Sequence, residues 1–272
     1  MLYGATMTST FGLVLKEWRG VRRMSQLELG SVADVSPRHI SFLESGRSNP
    51  SRPMVLHLTE VLEVPRQERN RFLGAAGFAP LYQMHDPDGE AMEPIRQAIS
   101  WTLKQHDPFP AIVLDRHWNV LDVNQAAAMM FAMLGLDAEI NMIDVLVHDR
   151  KVRSQIVNWS EVGYFVLTRL RTESAAVGGD DVLDAAIASL LTDDEIRPPS
   201  TSPLPPALPA VFKIDELQVS LFSTIAQFGS AEDIALFDQR IELFFPADDA
   251  TRALFLSAAS LPASITAKRQ ST

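Results

Sequence analysis

Apolar residues recur three and four apart through the first part of the chain: Phe11, Val14, Leu15 and Trp18, then Leu27, Leu29 and Val32, then Ile40 and Leu43, then Leu56, Leu58 and Leu62. That period lines one face of a helix, so the region from Phe11 to Val64 is predicted as several short helices. The breaks between them carry start signals. Ser25 with Glu28 three residues on makes a capping box, and Ser36 followed by Pro37 is an N-cap with proline at the first helical position, where its missing N–H is not needed. The spacing predicts one helix from Ser25 to Ala33, a second from Ser36 to Ser45 stopped by Gly46, and a further one from near Pro65 to Gly77. Asp34 stands in the tight turn between the first two, at a position that favours a left-handed backbone.

The period then changes. LYQMHDPDGEAMEP, residues 81–94, is acidic and broken by Pro and Gly, and reads as a connection. A helix is predicted from Glu93 to His106. PAIVLDRHWNVLDVN then alternates like two strands joined around Arg116 to Trp118, and Asn124 is placed to cap the helix AAAMMFAML. Two more helices are expected over Val152 to Ser174 and Asp181 to Thr192, parted by Val177-Gly178-Gly179. RPPSTSPLPPALPA has too many prolines for a helix or sheet interior. Strand-like segments follow at Val211 to Ile214, Leu217 to Phe228 and Arg240 to Phe245, with a last helix after Asp248. The pattern therefore predicts an α+β chain: an all-α domain over 1–80, a linker over 81–94 and a mixed domain over 95–272.

Composition narrows the function classes. The chain has 272 residues, no cysteine and a formal net charge of −10. Without cysteine there are no disulfides, thiolate metal sites or cysteine nucleophiles. No apolar run is long enough to span a membrane, and the first residues lack the layout of a secretory signal, so a cytoplasmic location is expected. The net charge hides an asymmetry: Met1 to Pro80 hold ten Lys+Arg against seven Asp+Glu, or +3, and the remainder is −13. A polyanion would be accepted by the first part and repelled by the second. No nucleophile elbow, phosphate loop or dinucleotide fingerprint is present, and no histidine pair has metal-ligand spacing, so neither an enzyme nor a metal site is expected. His85, Asp86 and Asp88 read as solvated turn residues.

Two short helices joined by a tight turn let the second lie in the DNA major groove while the first braces it across the backbone. The run Gln26, Gly30, Asp34, Ser36, Ile40, Leu43-Glu44, Gly46-Arg47 resembles the Xre-type helix-turn-helix of phage repressors, over Phe11 to about Val64. Two positions depart from that family, which prefers alanine where Gly30 stands and glycine where Asp34 stands. The resemblance implies that Gln26, Ser36 and Arg47 lie against phosphates and that Arg38 meets base edges, with His39 and Phe42 nearby and Pro37 also among the DNA-binding residues. It also implies that Arg19 pairs with Glu44 to fix the helix crossing. Arg can present two donors to guanine, and Phe42 could touch a thymine methyl. One short recognition helix reads too few base pairs for genomic specificity, so a homodimer on a pseudo-palindromic operator is expected.

AAGFAPLY, HDPFPAIVLDRHWNVLDVN, INMIDVL and NWSEVGYFVLTRLR resemble the regulators with an MmyB-like ligand-binding domain, a PAS-like fold, over roughly Ala75 to Thr172. That resemblance implies a transcriptional regulator with a C-terminal sensor for a small apolar, fatty-acid-like ligand and no other cofactor. The residues expected around it are Trp118, Met129, Met130, Met133, Trp159, Arg169, Phe222 and Phe244, between the strand pair Ala111 to Val123, the helix Ala126 to Leu134 and the later strands, with Arg153 or Arg169 meeting a carboxylate. Methionines line adaptable pockets, although such clusters also serve as plain core. The alternative is a C-terminal domain that only dimerises and binds protein partners.

Overall fold

The computed structural model describes residues 10–83, 85–136, 140–199, 206–228, 233, 236 and 238–259. They form two compact units. The first holds the N-terminal helices and also Thr172–Asp181, a segment that the sequence pattern assigned to the second domain.

Five helices build the first unit: α1 (Thr10–Val21), α2 (Gln26–Val32), α3 (Pro37–Glu44), α4 (Arg52–Val61) and α5 (Arg66–Ala75). Their starts follow the capping chemistry. Ser25 Oγ accepts from the Glu28 amide at 3.1 Å while the Glu28 carboxylate accepts from the Ser25 amide at 2.6 Å, and Ser36 Oγ accepts from the His39 amide at 3.2 Å. The α2–α3 turn places Asp34 at φ +52°, and Gly46 ends α3 at φ +73°. One cluster then joins all five helices, with Trp18, Phe11, Leu29, Ile40, Leu43, Leu58 and Phe72 almost wholly removed from water. Leu27 and Val32, counted above with the buried stripe, are instead 67% and 62% exposed. In so short a helix the inner face is filled by Leu29, Gly30 and Ala33, and residues on the opposite side have nothing to cover them.

Two glycines in this unit are required by close approach. A Cβ on Gly30 would stand 2.6 Å from the Val35 carbonyl, so the alanine of related sequences does not fit this turn as it is built. A Cβ on Gly12 would stand 2.3 Å from the Glu44 carbonyl and 2.7 Å from that of Leu43, which is how the end of α3 packs directly on α1.

The second unit opens with a 3₁₀ turn (Glu90–Met92) and α6 (Glu93–His106), followed by β1 (Ala111–Leu114), β2 (Val120–Val123) and α7 (Gln125–Leu134). A π turn (Asp144–His148) leads to α8 (Arg150–Ser154), α9 (Trp159–Ala176, counted with the first unit from Thr172 on) and α10 (Asp181–Leu191), then β3 (Ala210–Ile214), β4 (Leu217–Ala226), β5 (Arg240–Pro246) and α11 (Asp249–Ala259). The strands form one antiparallel sheet in the order β2-β1-β5-β4-β3. With helices over it this is an α+β, PAS-like arrangement. Alternation along the strands sends Ala111, Val113, Ile241 and Leu243 to one face, against Ile95, Ile99 and Leu103 of α6. Ile112, Leu114 and Leu221 face the other side, toward Ala127, Met130 and Phe131 of α7 and Phe255 of α11.

Asn124 does more than cap α7. Its Oδ1 accepts from the amides of Ala127 at 3.0 Å and Ala111 at 2.9 Å, and its Nδ2 donates to the carbonyls of Phe109 at 2.7 Å and Leu103 at 3.3 Å. One buried amide thereby ties α6, β1 and α7 together. The single helix expected over Val152 to Ser174 is broken in two. Ile156 pairs with Phe212 as a β-bridge, and the Val157 amide donates to the Val211 carbonyl at 2.7 Å, which takes these residues out of the helical ladder. The proline-rich stretch from Arg197 to Ala210 lies partly outside the described residues.

The same substitution should have opposite signs at two positions of α1. Gly12→Ala forces two backbones apart and should destabilise the chain by about 1–3 kcal/mol, whereas Gly20→Ala, with nothing within 4 Å of the new methyl, should stabilise it by about 0.4–1 kcal/mol. Urea unfolding of both variants, followed by circular dichroism, measures the difference.

Candidate functional site

Residues 38, 41, 42 and 45 recur on one side of α3, away from the buried Ile40, Leu43 and Glu44. Arg38 on that side is exposed, as are Ser36 and Pro37 at the helix start, while His39 and Phe42 are half-buried. The Phe42 ring is approached by two cations: the Arg38 guanidinium is 5.2 Å from its centroid and the exposed Arg47 guanidinium 5.8 Å. Cation–π contact of this kind holds two long side chains in place on the face of the helix. Ser41 belongs to the same face and escaped the sequence reading. Its carbonyl accepts from Ser45 Oγ at 2.7 Å.

Behind that face is a buried ion pair. Arg19 Nε and Nη2 meet the Glu44 carboxylate at 2.6 and 3.1 Å, and Arg19 Nη1 donates to the Met24 carbonyl at 2.7 Å. The Glu44 side chain is 5% exposed. Its hydrogen bond raises the Arg19 guanidinium above its ordinary pKa, against the opposing pull of burial. Gln26, expected against phosphate, also belongs to this cluster: its Nε2 donates to Glu44 Oε2 at 2.7 Å. The pair therefore fixes both α1 and the start of α2 to the end of α3.

In the second unit a cavity of 650 Å³ lies between the sheet and α9, within the size range of small-molecule sites. Its walls come from Ile112, Leu114 and Ile225 of the sheet, Val162, Phe165 and Val166 of α9, and Leu146, Met142 and Phe212 between them. One end is polar. Arg169 Nη1 reaches both oxygens of Glu242 at 3.2 and 3.1 Å, and Ser223 Oγ donates to Glu242 Oε1 at 2.7 Å. Register explains the grouping: Glu242 lies opposite Ile112 on β1 and Ile225 on β4, so one row of the sheet crosses the cavity floor. Trp118 closes this end. Its backbone is left-handed, at φ +65°, in a turn held by Asp115, whose Oδ1 accepts from the amides of His117 and Asn119 at 2.8 and 2.9 Å. The guanidinium of Arg169 stands 4.2 Å from the Trp118 ring centroid and that of Arg240 stands 5.5 Å away.

Of the residues expected around a ligand, Trp118, Arg169, Phe222 and Phe244 line this cavity. Phe222 does so from its place on β4, while its ring stacks on Phe245 with centroids 5.7 Å apart. The three methionines do not line it. Met130 is buried core, Met129 is half-buried and Met133 is 43% exposed, because α7 packs on the sheet beside the cavity and α9 supplies the helical wall. Trp159 and Arg153 also lie elsewhere. Trp159 is buried, with the Arg153 guanidinium 4.8 Å from its centroid and its Nε1 donating to Asp193 at 3.2 Å. Arg153 in turn pairs with Asp193 at 2.6 Å. The sequence reading passed over Glu242 and Ser223. The available signal was RIELFFP, where two charges stand two apart in an otherwise apolar strand.

A helix-turn-helix in one unit and a lined cavity in a PAS-like unit define a ligand-sensing regulator architecture. Residues 10–72 match the model of a helix-turn-helix domain, and residues 95–256 match that of the MmyB-like transcription regulator ligand binding domain. The chain belongs to the MmyB-like transcription regulators. Both matched domains are those of a regulator and not of an enzyme. No curated protein matches the chain. Among solved structures, an RNA-binding light-oxygen-voltage receptor is similar at 14% identity, over 93% of this chain and 64% of its own, with a TM-score of 0.23 that is too low to define a shared fold. This chain thus spans less than two thirds of that receptor's length. No helix among the described residues is long and apolar enough to cross a membrane.

Removing the carboxylate behind the outward side of α3 should be costly. Glu44→Ala leaves the Arg19 guanidinium without its partner, and the loss of stability should be near 3 kcal/mol, the lower end of the range for a broken buried pair because Arg19 keeps some solvent. Thermal and urea unfolding check this, with Glu44→Gln as the variant that retains the shape.

Proposed function

We propose that this chain is a sequence-specific DNA-binding transcription regulator that acts as a homodimer on a pseudo-palindromic operator. The observation that carries the DNA reading is the outward side of α3, where Arg38, Phe42 and Arg47 form one stacked unit on the helix that the fold presents for the major groove. In this reading Arg38 meets a base edge and Arg47, beyond the helix end, meets phosphate. Gln26, Ser36, Pro37 and His39 flank the contact. The first part of the chain carries a small positive charge, which suits a polyanion, and the excess of acidic residues lies in the remainder of the sequence.

The second unit is proposed as the sensor of that regulator. Its cavity takes a small, mainly apolar molecule that is fatty-acid-like in having a chain and one polar end; the long apolar wall supports the chain and the Arg169–Glu242–Ser223 end supports the polar group. A ligand that prefers one arrangement of the dimer shifts the population toward it and so alters the separation of the two reading heads. No cofactor is needed for this, and the protein works in the cytoplasm, where the operator is.

Titration of two variants against a base-substituted operator series, at two salt concentrations, tests the DNA reading. Arg38→Ala should cost about 1–3 kcal/mol at one base position, whereas Arg47→Ala should weaken all sequences alike and lower the salt slope. Footprinting and light scattering should give a dimer protecting half-sites about 34–36 Å apart or a multiple of that. Uniform loss for Arg38→Ala, or a monomer protecting one half-site, would contradict the proposal.

A further inference from the structure

We propose that the molecule held in this cavity carries an uncharged head that donates a hydrogen bond, such as an alcohol or a primary amide, and not a carboxylate. The inference rests on the cavity being a ligand site, as proposed above, and goes further by assigning the chemistry of the head.

The reason is the state of the two charged side chains that line the cavity among the described residues, Arg169 and Glu242. Arg169 alone, on an apolar wall, would attract an anion. Here its Nη1 already faces both oxygens of Glu242, at 3.2 and 3.1 Å, so a ligand carboxylate would have to share the guanidinium with the protein's own carboxylate. Both groups are withdrawn from water, with the Glu242 side chain 9% exposed and that of Arg169 23%. The pair is neutral as a whole. A carboxylate entering beside it would lose its hydration and meet Glu242 at close range, and an ammonium would meet Arg169 in the same way. Neither charge would find a net opposite charge in the pair.

A neutral head has a place. A carboxylate accepts about four hydrogen bonds. The contacts made by Glu242 with Arg169 and Ser223 number three: Nη1 to each oxygen and the Ser223 hydroxyl to Oε1. The remaining lone-pair direction calls for a donor, which an alcohol or amide has and an ionised carboxylic acid lacks. Ser223 Oγ, which donates to Glu242, keeps its own lone pairs for accepting. Beyond this end, Ile112, Leu114, Phe165, Val166, Ile225 and Phe244 offer only apolar contact, which sets the head at the ion pair and the chain along the wall.

Isothermal calorimetry on the full chain at neutral pH, with decanol, decanamide, decanoate and decylamine as probes, tests this. The wild-type chain should bind decanol or decanamide about tenfold or more tighter than either charged probe. Glu242→Gln keeps the shape and the Ser223 contact but leaves Arg169 as an uncompensated cation, so decanoate should become the tightest. Arg169→Gln should favour decylamine, and decides the matter with the wild-type ranking if circular dichroism shows that Glu242→Gln does not fold. Decanoate binding tightest to the wild-type chain, or a head-group order unchanged in both variants, would overturn the head-group assignment while leaving the cavity as a ligand site. No binding of any probe to the wild-type chain would remove the ligand site itself, and this inference with it.

Discussion

An ionised carboxylate taken out of water is stabilised by a cation held against it, and in each unit of this chain one such pairing stands beside the candidate site. In the first unit Glu44 is enclosed by Arg19 and Gln26, so the end of α3 has one permitted seat on α1 and α2. In the second, Glu242 is enclosed by Arg169 and Ser223, which joins α9 to the middle of the sheet. An ion pair of this kind adds little net stability compared with an apolar replacement, but breaking it is expensive, so it selects one arrangement over its near neighbours. In both units the candidate site is immediately beside the pair: the outward side of α3 in one and the cavity floor in the other.

What could be read from the sequence was mainly what is decided locally. Ser25, Ser36 and Asn124 each cap a helix at the place their spacing implied, because a cap needs only the three residues that follow it. Asp34 and Gly46 took up left-handed conformations for the same local reason. The cavity was harder. AAAMMFAML is apolar on nearly every side, so its period could not say which methionine faces inward, and α7 turned out to border core. Glu242 belongs to the site only because β5 lies between β1 and β4, an arrangement that no short stretch encodes. The break after α8 has a similar origin. A bridge between Ile156 and Phe212, far apart in sequence, overrides a helical pattern that runs on through both sides of it.

The two kinds of site also differ in how they can respond. A ligand stabilises the state it binds in proportion to the logarithm of its occupancy, by about 2.7 kcal/mol at a hundred times its dissociation constant. Only the part of that energy that differs between two arrangements of the protein can shift them. The cavity is well suited to provide such a difference, since its wall is made by α9, the π turn and the sheet together and not by one rigid element. The helices of the first unit share a single close-packed cluster, with backbones in direct contact at Gly12 and Gly30.

Arg38 and Arg47 both stand within cation–π distance of Phe42, so substitutions at these three positions should not be independent in their effects. Exchanging the ring for an aliphatic side chain would release both guanidiniums at once, and altering either arginine would change the environment of the other through the ring they share. A drift in target preference that proceeds one substitution at a time would have to pass through intermediates in which the whole triplet is loosened. Such a lineage would be expected to change all three positions nearly together or to retain all three.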